Sequence, residues 1–371
     1  MNIIVLKNNL REGLGVLEHA IAENNNLPVL RNVLLKTANN RIQLKATNLE
    51  IGVTTNIPGK IVEEGALTVP FAALYSVISN IQSERIDLAS KNNTLHITTD
   101  NYDAKIQGIP ESDFPIIPQL ASGNAHIEIE PGSLRDALGQ VALAAQESEV
   151  MPEISGVLLL TSNDECKLVA TDSFRLAEKT LFKNQYACTT ENGARAIIPL
   201  KTVQEVLRAF PASGTVRVSL DQNQILFKNE HTELISRIID GTYPDYEHII
   251  PSAKETEVFV ERESFLRAIK LVSSFSGKNN DVRVNVDNGK KTLEAYSANQ
   301  LLGENNYLIP AKIKGADVKG VSFNWRYLAD GLKALRGTQA VFTVNGESKP
   351  AVLQSPDDAS YVYVVMPIRS A

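Results

Sequence analysis

No apolar run in the 371 residues approaches the roughly 18 needed to cross a bilayer, so no membrane partner is expected. The opening Met1-Asn-Ile-Ile-Val-Leu6 is too short and too uncharged for a secretory leader and reads as a first strand. Cysteine is scarce. Cys166 and Cys188 are the only two and do not form a CxxC pair, which excludes a disulfide scaffold and suits a reduced, cytoplasmic setting. The five histidines (His19, His96, His126, His231 and His248) lack ligand spacing, and there is no HExxH motif, so no metal is expected. A GxxxxGK[ST] phosphate loop is missing, as is a GxGxxG turn after a strand; Gly13-Leu-Gly15 falls inside a helical stripe. No cofactor is expected. Ser173 has no flanking glycines of the kind that build a nucleophile elbow. Asp172 and Arg175 could pair as acid and base in a site, although a turn carboxylate capping its own backbone is the preferred role. With no catalytic constellation, the chain is expected not to be an enzyme.

What is present is a threefold repeat. Leu168-Val-Ala-Thr-Asp-Ser-Phe-Arg-Leu176 reads as a strand that turns at Asp172-Ser173. It has cousins in Leu44-Lys-Ala-Thr-Asn-Leu-Glu50 and Leu293-Glu-Ala-Tyr-Ser-Ala-Asn299, with alanines 46, 170 and 295 in register. A period near 125 residues means a whole domain copied. One helical stripe, Leu10, Leu14, Leu17 and Ile21, recurs as Leu134, Leu138, Val141 and Ala145, then as Phe265, Ile269, Val272 and Ser276. A second, Leu74, Val77, Ile78 and Ile81, recurs as Val203, Val206, Leu207 and Phe210, then as Leu328, Gly331, Leu332 and Leu335. Between them run alternating segments such as Arg41–Lys45, Thr94–Thr98, Thr215–Leu220, Gln224–Phe227 and Asp281–Val286, which read as antiparallel strands. The fold class is therefore α+β: three tandem similar domains, each two helices packed on antiparallel sheet. The boundaries fall near Gly123 and Ala253, giving domains 1–123, 124–253 and 254–371.

The net charge of −6 argues against a simple nucleic-acid binder unless charge is unevenly spread. It is: the six helical segments sum to +4 and the remainder to −10. Solvated helix faces would explain this blandly. A helix-lined surface for a polyanion, with an acidic outside, explains it more sharply.

Several short motifs share an order and spacing. They are Leu27-Pro-Val-Leu30 with Asn32, Ala46-Thr-x-x-Glu50, Asp113-Phe-Pro115, Thr171-Asp-x-x-Arg-Leu176, Pro244-Asp-Tyr246 and Val364-Val-Met-Pro-x-Arg369. Together they make the whole chain resemble the bacterial sliding clamp family, the beta subunit of the replicative DNA polymerase, also called DNA polymerase III subunit beta.

The resemblance implies a non-catalytic processivity factor. Two chains join head to tail in a homodimeric ring around double-stranded DNA, without sequence preference. A clamp-loader ATPase opens the ring, and DNA polymerases and repair proteins dock short peptide motifs between domains 2 and 3. On that reading the pocket comprises Ile154, Thr171, Phe174, Arg175, Leu176, Pro244, His248, Ile249, Asn324, Tyr327, Val364, Met366, Pro367, Ile368 and Arg369. Pro367 should interrupt ladder pairing and leave Met366 and Ile368 free to line the groove. Lys201, Arg208, Arg267, Lys270, Arg326, Lys333 and Arg336 should face DNA. Tyr75, Val77 and Ile78 of one copy should meet Leu271 and Val272 of the other. Phe174 stands where many members carry histidine, and His248 where arginine is common. Asn24 and Pro152-Glu153 replace residues associated with DNA contact. An α+β enzyme using Asp172, Arg175 and Arg369 lacks a nucleophile, and a repeat adaptor that binds no DNA leaves the basic helices unexplained.

Overall fold

A computed structural model describes residues 1–22, 27–120, 126–162, 164–189, 193–211 and 214–368. Among the described residues there are six α-helices: α1 (Lys7–Leu17), α2 (Phe71–Asn80), α3 (Pro131–Ala142), α4 (Leu200–Ala209), α5 (Arg262–Val272) and α6 (Trp325–Ala334). They are the three pairs that the two stripes predict. Leu10, Leu14 and Leu17 are fully buried, as are Phe265, Ile269 and Val272, and Leu134, Leu138 and Val141 are nearly so.

The fourth position of the first stripe is a correction. Ile21, Ala145 and Ser276 all lie beyond the ends of their helices. After α5 the reason is visible. The Ser273 hydroxyl donates to the Lys270 carbonyl at 2.8 Å and the Ser274 hydroxyl to the Leu271 carbonyl at 2.7 Å. Serine side chains thus satisfy the last carbonyls, and the chain tightens into a short 3-10 turn.

Two glycines on the stripes mark close approach. A Cβ on Gly331 would sit 2.5 Å from the ring of Tyr363, so α6 lies almost on that ring. A Cβ on Gly13 would sit 2.5 Å from Ile57, which makes this glycine a packing residue of α1. The Asn324 side chain caps α6 by accepting from the Arg326 amide at 3.0 Å.

Every strand pairing among the described residues is antiparallel, and the sheets contain five, nine, nine and four strands. The chain forms two compact units. The first comprises residues 1–135, 184–192 and 201–238; the second comprises 136–183, 193–200 and 239–371. Each sheet lies wholly within one unit.

The middle repeat is divided between them. Its strand Thr232–Arg237 pairs with Ile51–Ile57 of the first repeat, extending a nine-stranded sheet in the first unit. Its strand Arg175–Phe182 pairs with Asp358–Val365 of the last repeat, extending the other nine-stranded sheet in the second unit. Sequence repeat and compact unit are therefore different divisions of the chain. Backbone pairing between repeats, which no composition signal reports, creates the second.

Candidate functional site

The Thr171–Leu176 stretch is a hairpin turn in the second unit. Strand Glu165–Thr171 runs into strand Arg175–Phe182, with Thr171 opposite Leu176. Ser173 takes a positive φ of 74°, uncommon for a side-chain-bearing residue. Two neighbours hold it there. The Thr171 hydroxyl donates to the Arg175 carbonyl at 2.7 Å and accepts from the Ser173 amide at 3.2 Å. Asp172 Oδ1 accepts from the Phe174 and Arg175 amides, each at 3.0 Å. The turn thereby leaves Phe174 61% exposed while Leu176 is buried.

Asp172 does more than cap. Its Oδ2 accepts from Arg175 Nε at 2.9 Å, and the same guanidinium donates through Nη1 to Asp330 Oδ2 at 2.9 Å. The guanidinium also lies 4.3 Å from the ring centroid of Tyr327. The Tyr363 hydroxyl donates to the Tyr327 carbonyl at 2.9 Å. One arginine therefore ties the turn to α6. Burial acts against its charge, yet Tyr363, Asp172 and Asp330 outweigh that and hold the guanidinium above its ordinary pKa. Neither Asp330 nor Tyr363 stands out in the sequence, because each meets Arg175 from more than 150 residues away.

Around this turn the structure brings together most of the expected pocket residues. Ile154, Leu176 and Val364 belong to one buried cluster with Leu158, Val169, Ile197, Tyr243 and Tyr246. Those three form a floor, at most 4% exposed. Pro244, His248 and Ile249 are exposed, with His248 Nε2 3.2 Å from Asp245 Oδ2. Met366 is half-buried and Pro367 buried.

The expectation that Pro367 frees its neighbours is corrected. The Met366 amide donates to the Phe174 carbonyl at 2.8 Å, and the Ile368 amide donates to the Ser322 carbonyl at 2.7 Å. Proline removes only its own donor, and the flanking amides find acceptors elsewhere. Arg369 lies outside the described residues, as does Asn24.

All seven basic residues expected to face DNA are exposed. In the first unit, Lys201 and Arg208 lie on α4, Arg208 paired with Glu205 at 2.6 Å. In the second, Arg267 and Lys270 lie on α5. Arg326 Nε donates to Asn280 Oδ1 at 3.3 Å, Lys333 lies 3.1 Å from Asp330, and Arg336 pairs with Asp136. The six observed helices carry ten basic and five acidic residues, so the bias survives the revised boundaries.

The interface residues fare unevenly. Leu271 is 55% exposed, and Tyr75 and Val77 are half-buried. Ile78 and Val272 have no exposed surface at all. Val272 continues the Phe265–Ile269 core stripe, and Ile78 packs inward one turn after Leu74, so neither can meet another chain directly. Sequence reasoning missed the strand edges. Gly303–Pro310 is an edge of the four-stranded sheet and carries exposed Tyr307 and Leu308. Its Asn305 side chain donates to the Leu271 carbonyl at 3.3 Å. Asp103–Gln107 is an edge of the five-stranded sheet in the first unit.

Family models for the N-terminal, central and C-terminal domains of the DNA polymerase III beta subunit match residues 1–118, 128–245 and 247–369. A beta sliding clamp of Synechococcus elongatus is 29% identical over 380 residues, spanning 100% of this chain and 99% of that protein. The crystal structure of the sliding clamp of Bacillus subtilis superposes with a TM-score of 0.93 at 23% identity, covering 100% of both chains. The DNA polymerase III beta subunit of Pseudomonas aeruginosa gives 0.93 at 24%, again over 100% of both chains. With all three domains matched in chain order, the chain belongs to the DNA polymerase III beta-subunit family, the non-catalytic sliding clamps of DNA replication.

Proposed function

We propose that two copies of this chain close head to tail into a ring that encircles duplex DNA in the cytoplasm. The ring slides, tethers DNA polymerases and repair proteins by short peptide motifs, and is opened by a clamp-loading ATPase. The observation that carries this reading is the charge partition: ten basic against five acidic residues on the helices of a chain whose net charge is −6. Such a partition suits contacts to phosphates that are weak and interchangeable, as sliding requires. Closure has candidate edges in Asp103–Gln107 and Gly303–Pro310, one in each unit. Head-to-tail contacts between unlike edges make a ring when the rotation closes. The domains are read as 1–123, 124–253 and 254–371.

Loading on nicked circular DNA tests encirclement. The protein is expected to stay on the circle and to fall off once the DNA is cut to an open-ended linear form. Retention on the linear form would contradict a ring.

The docking site for partner peptides is read as the surface around Phe174, with Ile249, Met366 and Ile368 at its sides and the Leu176–Val364 pair as floor. A partner leucine or phenylalanine buried there gains roughly 1.5–3 kcal/mol. Peptide ordering offsets part of this, so affinity is expected on the order of micromolar. Phe174→Ala should weaken a polymerase-tail peptide by about 10- to 100-fold in a fluorescence-anisotropy titration. An unchanged affinity would move the site elsewhere.

A further inference from the structure

The first unit holds a cleft that the clamp reading does not use. It has a volume of about 550 Å³ and lies where the segment 111–119 crosses the strands Asn32–Ala38 and Arg41–Thr47. That volume falls within the range of small-molecule sites. Its walls include Leu34, Phe114, Ile116 and Ile117, and its polar lining includes Lys45 and Glu111. Phe114 and Leu34 pack into a small buried cluster with Val29, while Ile116 at the rim is 94% exposed.

Lys45 stands in a cross-strand row: Leu34 opposite Lys45, Lys45 opposite Thr54, Thr54 opposite Glu233, and Glu233 opposite Lys228. Among the described residues it is the one lysine of this row without an ion pair in contact: Glu111 and Glu233 attract it through space, but each is already paired with another lysine. Lys228 pairs with Glu233, and Lys36 pairs with Glu111 at 2.6 Å. Lys45 is half-buried and its side chain makes no ion pair or hydrogen bond among the described residues. A half-buried cation without a contacting counter-ion is costly, and an arriving anion would relieve that cost.

From this we infer that the cleft binds a small organic monoanion: a carboxylate on an apolar or aromatic body, its charge on Lys45 and its body against Phe114 and Ile117. One charge is the right number, because Lys36 and Lys228 are already paired with Glu111 and Glu233, which leaves only the Lys45 ammonium to meet an anion. Burial first, and then Lys36, pull the Lys45 ammonium below its ordinary pKa, with Glu111 and Glu233 opposing. A bound carboxylate favours the charged form. Affinity is therefore flat between the ligand's own carboxylic pKa and the lowered pKa of Lys45 in the free protein, and falls as pH rises through the latter.

The probe is 4-(trifluoromethyl)benzoate, followed by fluorine NMR against the full-length chain, with the neutral 4-(trifluoromethyl)benzamide in parallel. The benzoate should bind with a dissociation constant on the order of a millimolar or below, and the benzamide about tenfold more weakly. Lys45→Met should weaken the benzoate by about tenfold or more, while Lys45→Arg stays within about threefold. Lys45→Met removes a half-buried charge that makes no contact ion pair, so its melting temperature should not fall, which separates lost binding from lost folding. Equal binding of acid and amide would overturn the assignment, as would undiminished benzoate binding by Lys45→Met. Binding of an acidic peptide without binding of the benzoate would overturn it too, by making the cleft a protein-docking groove.

Discussion

Arg175→Ala is expected to abolish measurable binding of a polymerase-tail peptide and to destabilise the protein by about 3–5 kcal/mol. The side chain of Asp172 is only 2% exposed, and Arg175 is its ion-pair partner. Removing the guanidinium leaves that carboxylate with two backbone amides but no countercharge in a dehydrated place. Breaking one half of a buried pair costs far more than the pair contributes, because the remaining charge is uncompensated. The peptide effect follows from geometry. The guanidinium fixes the turn that presents Phe174 and joins it to Asp330 on α6, so its loss lets the turn and the helix move independently. Arg175→Lys separates charge from shape. An ammonium cannot reach both carboxylates as a planar fork or stack on Tyr327, so this variant should recover part of the stability and little of the affinity. Asp330→Asn should weaken the peptide without the full stability loss, since Asp330 is partly exposed and also has Lys333 as a partner. Urea denaturation with peptide anisotropy on the same samples is the check. Arg175→Ala within about 1 kcal/mol of the parent and binding normally would remove the clasp from the site.

Much of this clasp was legible before the structure, and the reasons for the gap are specific. The turn at Asp172-Ser173 follows from local chemistry, because an aspartate caps the amides two and three residues on. The helix stripes follow from periodicity, and all six helices appear on them, each ending before the fourth position of its stripe. What fails to show is whatever depends on a distant partner. Asp330 meets Arg175 only because α6 packs close, through Gly331, on Tyr363, and that strand pairs with the one bearing Arg175. The lapse at Gly331 in an apolar stripe was the one visible trace of that approach. The tail shows the converse error. Proline reads as the end of a ladder, but Ser322 lies on another strand and accepts from the Ile368 amide instead. The division of the middle repeat between two sheets is invisible for the same reason: each of its strands looks like an ordinary half-exposed strand whichever neighbour it finds.

Leu271 and Val272 are adjacent in sequence and opposite in role, since successive helical residues point about 100° apart. Val272→Glu would place a charge in the core of the second unit and unfold it, reporting nothing about a ring. Leu271→Glu combined with Leu308→Glu changes only surface, because both leucines are more than half exposed. If the edge strand Gly303–Pro310 closes the ring, this double variant should leave the melting of each unit intact and convert the dimer to a monomer. Each leucine buried at an interface contributes about 1.5–3 kcal/mol, so removing two costs at least ~3 kcal/mol per interface. A closed homodimeric ring has two such interfaces, which makes ~6 kcal/mol, on the order of 10⁴-fold in the dissociation constant before charge repulsion is counted. Sedimentation at micromolar concentration should then show a 40.6 kDa particle for the variant and twice that for the parent. The same variant should fail to be retained on nicked circular DNA, although its helices keep every basic residue. Loss of retention with the charge intact would separate topological linkage from electrostatic attraction. A variant that remained dimeric would exclude this edge as the closing surface and leave the ring to be sought at the other sheet edges.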